Sequence, residues 1–405
     1  MNLDKKRWLV LVASCLINLC IGSLYAWSVF AGPLLEKLNS SGAGLTNISI
    51  VYTIANSVGP ITMITGGLLT DKLGIKRLIF FGGILFGGGM ILTGRVTTLT
   101  GLIVTYGLMV GLAIGMVYGC TISNSVCFFP DKKGMAGGLA TASFGGSSVL
   151  MPLVVVRLNN AFGLEKSLLI LGASMMIIIC VSSFFIEQCP AGYAPAGYQR
   201  KAGVKTTGNN YTWKEMIRSR EFYLMFSMLL CGAFPGMILT SSAMTISKEM
   251  MSMETADAAS VVSVVAVFNT VGRVFAGTLS DKLGNVRTIL YSFIAAFAAQ
   301  GILLASGSTG ITALFIAGCC LTGLCFGATM GVYPSFTASR FGQAHNNVNY
   351  AIIFIGFTIA GYFGPAIMNA VHDSTGHYDL AFAAGMVFAA AGFLLTVIEK
   401  KVEKE

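Results

Sequence analysis

Long apolar runs follow one another from Trp8 to Ile398, each close to the roughly 20 residues that cross a hydrocarbon core. The pattern predicts helices over 8–32, 46–70, 77–94, 100–125, 135–158 and 167–186. A polar stretch from Glu187 to Arg220 interrupts the series, with Pro190, Pro195, several glycines and six basic residues. Further helices are expected over 222–245, 257–279, 287–305, 311–335, 347–369 and 379–398. The reading is an all-α membrane protein with twelve transmembrane helices, divided into a bundle at 1–186, a central loop at 187–220 and a bundle at 221–405. The basic opening, Met-Asn-Leu-Asp-Lys-Lys-Arg, has the start of a signal peptide. Its apolar run continues past Phe30 without a small-residue cleavage site, so a retained first helix is expected.

The two halves repeat one another in parallel. Gly67-Leu-Leu-Thr-Asp71-Lys-Leu-Gly-Ile-Lys-Arg77 matches Gly277-Thr-Leu-Ser-Asp281-Lys-Leu-Gly-Asn-Val-Arg287 at seven of eleven positions, 210 residues apart. Gly111, Gly115 and Gly119 recur as Gly323, Gly327 and Gly331 at an offset of 212, and Pro152 as Pro365 at 213. Such a duplication of a six-helix unit is typical of transporters with a midplane site between halves. Glycines four apart line one stripe of a helix, and close helix packing accounts for them without any ligand.

Composition narrows the class. Only 43 of 405 residues are charged, 26 basic and 17 acidic, where a soluble chain carries about a quarter. The net charge of +9 points to no nucleic acid, because the Lys and Arg residues lie in short loops between apolar runs. With both termini in the cytoplasm, twenty basic residues fall on that side and five on the other: Lys37, Arg95, Arg157, Lys166 and Lys248. The expected place is therefore the cytoplasmic membrane, multi-pass. The ten cysteines contain no CxxC pair and the three histidines are scattered, so neither a metal nor a cofactor is expected. No nucleophile–base pair points to an enzyme.

The Gly-x-Leu-x-Asp-Lys-x-Gly-x-Lys-Arg loop resembles the signature of the major facilitator superfamily, and its second copy strengthens the likeness. Three further segments resemble the oxalate/formate antiporter family, relatives of the monocarboxylate transporters. They are Gly22-Ser-Leu-Tyr25-Ala-Trp27-Ser-Val-Phe30, Phe129-Pro-Asp-Lys-Lys-Gly134 with Met-Ala-Gly-Gly after it, and Gly272-Arg273 eight residues before Asp281. The resemblance spans essentially the whole chain. It implies the twelve-helix fold with alternating access, and loops around Asp71, Lys72, Arg77 and Asp281, Lys282, Arg287 that brace a cytoplasmic gate.

Arg273 stands apart from every other charge. Eight residues before Asp281, it lies about 12 Å inside the membrane boundary at 1.5 Å per residue. A central arginine costs about 2.5–3.5 kcal/mol on insertion scales and calls for a partner. The seventeen acids all map to termini, loops or helix ends, so a carboxylate ligand is the expected counter-ion, held by the guanidinium fork. Backbone carbonyls are the structural alternative. The resemblance agrees: an arginine at this place contacts substrate in that family.

The family's oxalate transporter adds a lysine in the eleventh helix, where the matching position here is Phe357. One positive charge suits a monoanion of the formate, acetate, lactate or pyruvate class. The monocarboxylate transporters place an aspartate one turn before the arginine, where Asn269 stands here, so a proton relay lacks its carrier. Tyr25, Trp27, Tyr118, Tyr333 and Tyr350 are candidate walls of a binding site, with packing or interfacial anchoring as the alternative for each. The expected partners are a small organic anion and membrane lipid, and the expected state is a monomer. The rivals are a dicarboxylate exchanger, a multidrug or other solute exporter of the same fold, and a ligand sensor that does not transport.

Overall fold

A computed structural model describes residues 3–190, 192–195, 198 and 210–402. Among them all regular structure is helical, as a hydrocarbon setting demands, since a helix satisfies its own backbone groups. In chain order the helices are α1 (Leu3–Ile21), α2 (Trp27–Ser40), α3 (Ser49–Leu73), α4 (Ile75–Thr93), the single turn α5 (Leu99–Leu102), α6 (Gly111–Phe128) and α7 (Lys133–Ser183). After the polar stretch come α8 (Trp213–Met216), α9 (Arg220–Met251), α10 (Thr255–Leu283), α11 (Asn285–Thr309), α12 (Thr312–Phe341), α13 (Asn346–Thr375) and α14 (Asp379–Val402). Parts of the central loop, including Arg200, Lys201 and Lys205, lie outside the described residues, as does Lys404.

Ten helical stretches among the described residues are long and apolar enough to cross a membrane. Three details depart from the expected spans. The first stretch continues through a 3-10 turn at Gly22–Ala26 to Ser40, well past residue 32. A π-helical segment, Ile103–Val110, joins α5 to α6. The fifth and sixth spans form one element, α7, whose 51 residues would reach about 77 Å, more than twice a hydrocarbon core. Gly163 breaks it, with φ 77° and ψ 168°, so the chain turns through a single glycine where a longer loop was expected. Helix α3 is 25 residues long but carries Thr, Ser, Asn and Gly through its middle and is not one of the ten.

The helices fall into two compact units. One holds residues 1–130, 143–201 and 346–352; the other holds 131–142, 202–345 and 353–405. Each unit thus takes in a short stretch from the other half of the sequence.

Within the first unit the glycine stripe of α6 lies on α3. A Cβ at Gly111 would stand 2.8 Å from the Ala55 carbonyl oxygen, and one at Gly115 would stand 2.1 Å from that of Gly59. At Gly119 the nearest atoms belong to Met63. The second unit repeats the register between α12 and α10. There a Cβ at Gly323, Gly327 or Gly331 would meet the carbonyl oxygens of Val265, Asn269 and Arg273 at 2.8, 1.9 and 2.3 Å. The contacted residues, 55, 59, 63 and 265, 269, 273, are again 210 apart. The repeat seen in the sequence is therefore a repeat of backbone packing, and Met63 is the counterpart of Arg273.

Helix α10 shows how the arginine comes to be buried. Val264, Val267, Phe268, Val271 and Phe275 are exposed along one face, as lipid-facing residues are. Val261, Val265, Asn269, Arg273 and Ala276 are buried along the other. Spacings of three and four residues put Arg273 on the inward stripe.

Candidate functional site

Arg273 is 4% exposed, and protein acceptors engage two of its three guanidinium nitrogens. Its Nε donates to Asn269 Oδ1 at 3.0 Å, one turn back on α10. Its Nη1 donates to the backbone carbonyl of Thr141 in α7 at 2.8 Å. Among the described residues Nη2 has no hydrogen-bond acceptor and no carboxylate pairs with the guanidinium. Both acceptors are neutral. They orient the fork and leave its charge uncompensated.

Glycines bring the neighbouring backbones close enough for this arrangement. A Cβ at Gly138 would lie 2.5 Å from the Arg273 carbonyl oxygen. At Gly134 it would lie 2.0 Å from the Gly277 carbonyl oxygen and 2.2 Å from the Ser280 hydroxyl. The start of α7 can therefore rest on α10, which carries Thr141 to the arginine. Around Phe357 in the same unit, Phe354 stacks at 4.6 Å and Phe326 at 6.2 Å, so this position is half-buried in an aromatic group. The only basic residue of α13 is His372, in its last turn.

In the first unit Tyr25, in the 3-10 turn, and Tyr118, in α6, both meet the ring of Phe144, at 5.4 and 4.7 Å. Gly22 lets that turn approach α7, because a Cβ there would lie 2.5 Å from the Phe144 carbonyl oxygen. Trp27 belongs to a different group, packed on Tyr106 at 4.7 Å and Tyr52 at 6.3 Å. Tyr350 is buried in the first unit. Tyr333 is buried in the second, where its hydroxyl donates to the Met225 carbonyl at 2.8 Å.

Sequence reasoning did not single out Thr141 or Phe144. Every residue carries a carbonyl, so nothing in the chain marks the one at 141 as an acceptor. Phe144 stands in the run Thr-Ala-Ser-Phe-Gly-Gly, where an aromatic among small residues is a legible sign of a side chain filling space left for it.

At the repeated loops, Asp281 receives hydrogen bonds from the backbone amides of Gly134 at 2.7 Å and Met135 at 2.8 Å. These amides belong to the first turn of α7, where they lack partners within the helix, and the positive end of the helix dipole also favours a carboxylate there. Lys282 and Arg287 are exposed, as are Lys72 and Arg77. The side chain of Asp71 lies outside the described residues. In the first unit Gly67 approaches Asn347 and Val348, at the start of α13, as Gly277 approaches Gly134 in the second.

A family model described as Major Facilitator Superfamily matches residues 12–365. The chain is 29% identical over 362 residues to an uncharacterised MFS-type transporter, YhjX, of Escherichia coli (strain K12), covering 88% of this chain and 86% of that one. It is 26% identical over 409 residues to the oxalate:formate antiporter of Oxalobacter formigenes, covering 98% and 94%. Among solved structures, the transporter FucP in its outward conformation aligns with a TM-score of 0.70 at 16% identity, over 95% of this chain and 98% of that one. That likeness concerns the fold.

Proposed function

The chain belongs to the major facilitator superfamily, and on that premise we propose that it carries a small monocarboxylate across the cytoplasmic membrane, with Arg273 as the carboxylate clamp. It is a multi-pass membrane transporter of a small molecule, not an enzyme. The observation that supports the clamp is a buried guanidinium with neutral acceptors on two nitrogens and, among the described residues, no acid beside it. A monocarboxylate brought to Nη2 supplies the missing negative charge and leaves again without a covalent step. Binding of this kind is strong where water is excluded.

Alternating access by two bundles of six helices each, with both termini in the cytoplasm, completes the reading. Counting the arms of α7 on either side of Gly163 separately, and including α3, gives the twelve spans it requires. The oxalate:formate antiporter relative supports carboxylates as the substrate class and exchange as the mode. A single basic group, together with Phe357 inside an aromatic group, supports a monoanion over oxalate. Tyr25 and Tyr118, joined through Phe144, are the aromatic residues proposed to line the substrate's path.

The test is uptake and counterflow in proteoliposomes with labelled formate, acetate, lactate, pyruvate and oxalate. Counterflow of one or more monocarboxylates in the wild type and its loss in Arg273→Gln are expected. Undiminished carboxylate transport in Arg273→Gln would sink the clamp. A preference for oxalate in the wild type would favour the dicarboxylate exchanger.

A further inference from the structure

Cys189 is the one cysteine on the polar stretch between the two halves, and the structure gives it a specific neighbour. Asn124, in the last turns of α6, donates through Nδ2 to the Glu187 carbonyl at 2.9 Å and accepts at Oδ1 from the Cys189 amide at 3.0 Å. This pair of hydrogen bonds to the main chain fastens residues 187–189 to the end of α6. Cys127 follows Asn124 by three residues and so lies on the same face of that helix. The Cys127 and Cys189 side chains are hydrogen-bonded to each other, and both residues are half-buried.

Neighbouring contacts hold the same segment. Lys6 pairs with Glu187 at 2.6 Å, Tyr193 packs on Phe128 at 5.5 Å, and the Tyr193 hydroxyl donates to Asp4 at 3.0 Å. The position in the chain gives the pair its meaning. The first unit ends at Pro130, three residues beyond Cys127, and resumes at Ser143. Cys189 stands on the polar stretch that begins at Glu187. The two thiols therefore meet close to the exit at Pro130, where residues 187–189 are fastened to the end of α6.

We propose that Cys127 and Cys189 form a reversible disulfide, a modification site that locks the 187–189 segment to the end of α6 under oxidising conditions. The oxidant is a low-molecular-weight disulfide. One protein thiolate attacks it, forming a mixed disulfide and releasing one small thiolate. The second protein thiolate then attacks the protein sulfur of the mixed disulfide, forming the Cys127–Cys189 bond and releasing the other small thiolate. Two protein thiols are oxidised, one small disulfide is reduced to two thiols, and the two protons pass to the released thiolates. The hydrogen bond with Cys127 and burial both hold the Cys189 thiol above its ordinary range. Because the thiolate is the nucleophile, closure is slow at neutral pH and faster in mild alkali.

The test uses the full chain in detergent, treated with oxidised glutathione at about pH 8.5, alkylated with N-ethylmaleimide and mapped by mass spectrometry. A peptide pair joined through Cys127 and Cys189, released by dithiothreitol, is the expected product in the wild type. The thermal midpoint of the oxidised wild type should rise by about 5 °C and that of Cys189→Ser should stay in place. The proposal is overturned by recovery of Cys189 only as an alkylated or glutathione-modified peptide. It is equally overturned by a joined peptide with no rise in the midpoint.

Discussion

Asn269 accepts from the Arg273 Nε at 3.0 Å with a neutral amide, and in the proposed clamp that neutrality leaves the arginine's charge to the substrate. Asn269→Asp would install a fixed counter-ion of nearly the same shape. An internal pair then competes with the substrate, and KM for a transported carboxylate should rise by about tenfold or more, read in counterflow. Arg273→Lys keeps the charge and loses the fork. It cannot serve Asn269, Thr141 and a carboxylate in one plane, and should lose about 10- to 100-fold in transport efficiency. The place of Arg273 inside a helix, two turns before Asp281, was legible from the sequence. Its acceptor at Thr141 was not, because a main-chain carbonyl has no sequence signature and two segments 132 residues apart had to be brought together.

Close approach of helices follows from single missing side chains. A methyl group at Gly327 would overlap the Asn269 carbonyl, so Gly327→Ala must push α12 off α10, at about 1–3 kcal/mol or more. Gly88, with nothing within 4 Å of its would-be Cβ, is the matched control, and Gly88→Ala should leave the thermal midpoint unchanged. At the start of α7, Asp281→Ala removes the acceptor for two amides and should cost about 1–2 kcal/mol. Faster hydrogen exchange at Gly134 and Met135 would register it. At this scale apolar length and repeated glycines revealed the spans and their packing stripe. The joined helix across Gly163 and the π segment at Ile103–Val110 escaped notice. Both are choices of local backbone conformation that alter where a span begins or turns without altering how apolar it is.

For the whole molecule, the asymmetry of basic residues predicts a topology that labelling can check. In a cysteine-free background, cysteines placed at Lys37 or Lys166 should react with an impermeant maleimide in intact cells. Cysteines at Lys132 or Lys282 should react only after permeabilisation. The opposite pattern would reverse the orientation. Composition and the two matching loops had already made the class and the duplication readable. They could not show that residues 131–142 and 346–352 pack with the unit opposite their own half, since that depends on tertiary contacts of short, ordinary-looking stretches.

The equivalence of Met63 and Arg273 carries a consequence for how such a molecule acquires its chemistry. Gene duplication begins with two interchangeable positions, each held by a glycine from a neighbouring helix. Here one holds a cation and the other a thioether, so at this pair of positions the symmetry of the repeat is broken. A substitution at position 63 or at 273 therefore falls on an equivalent helix contact, each within its own unit.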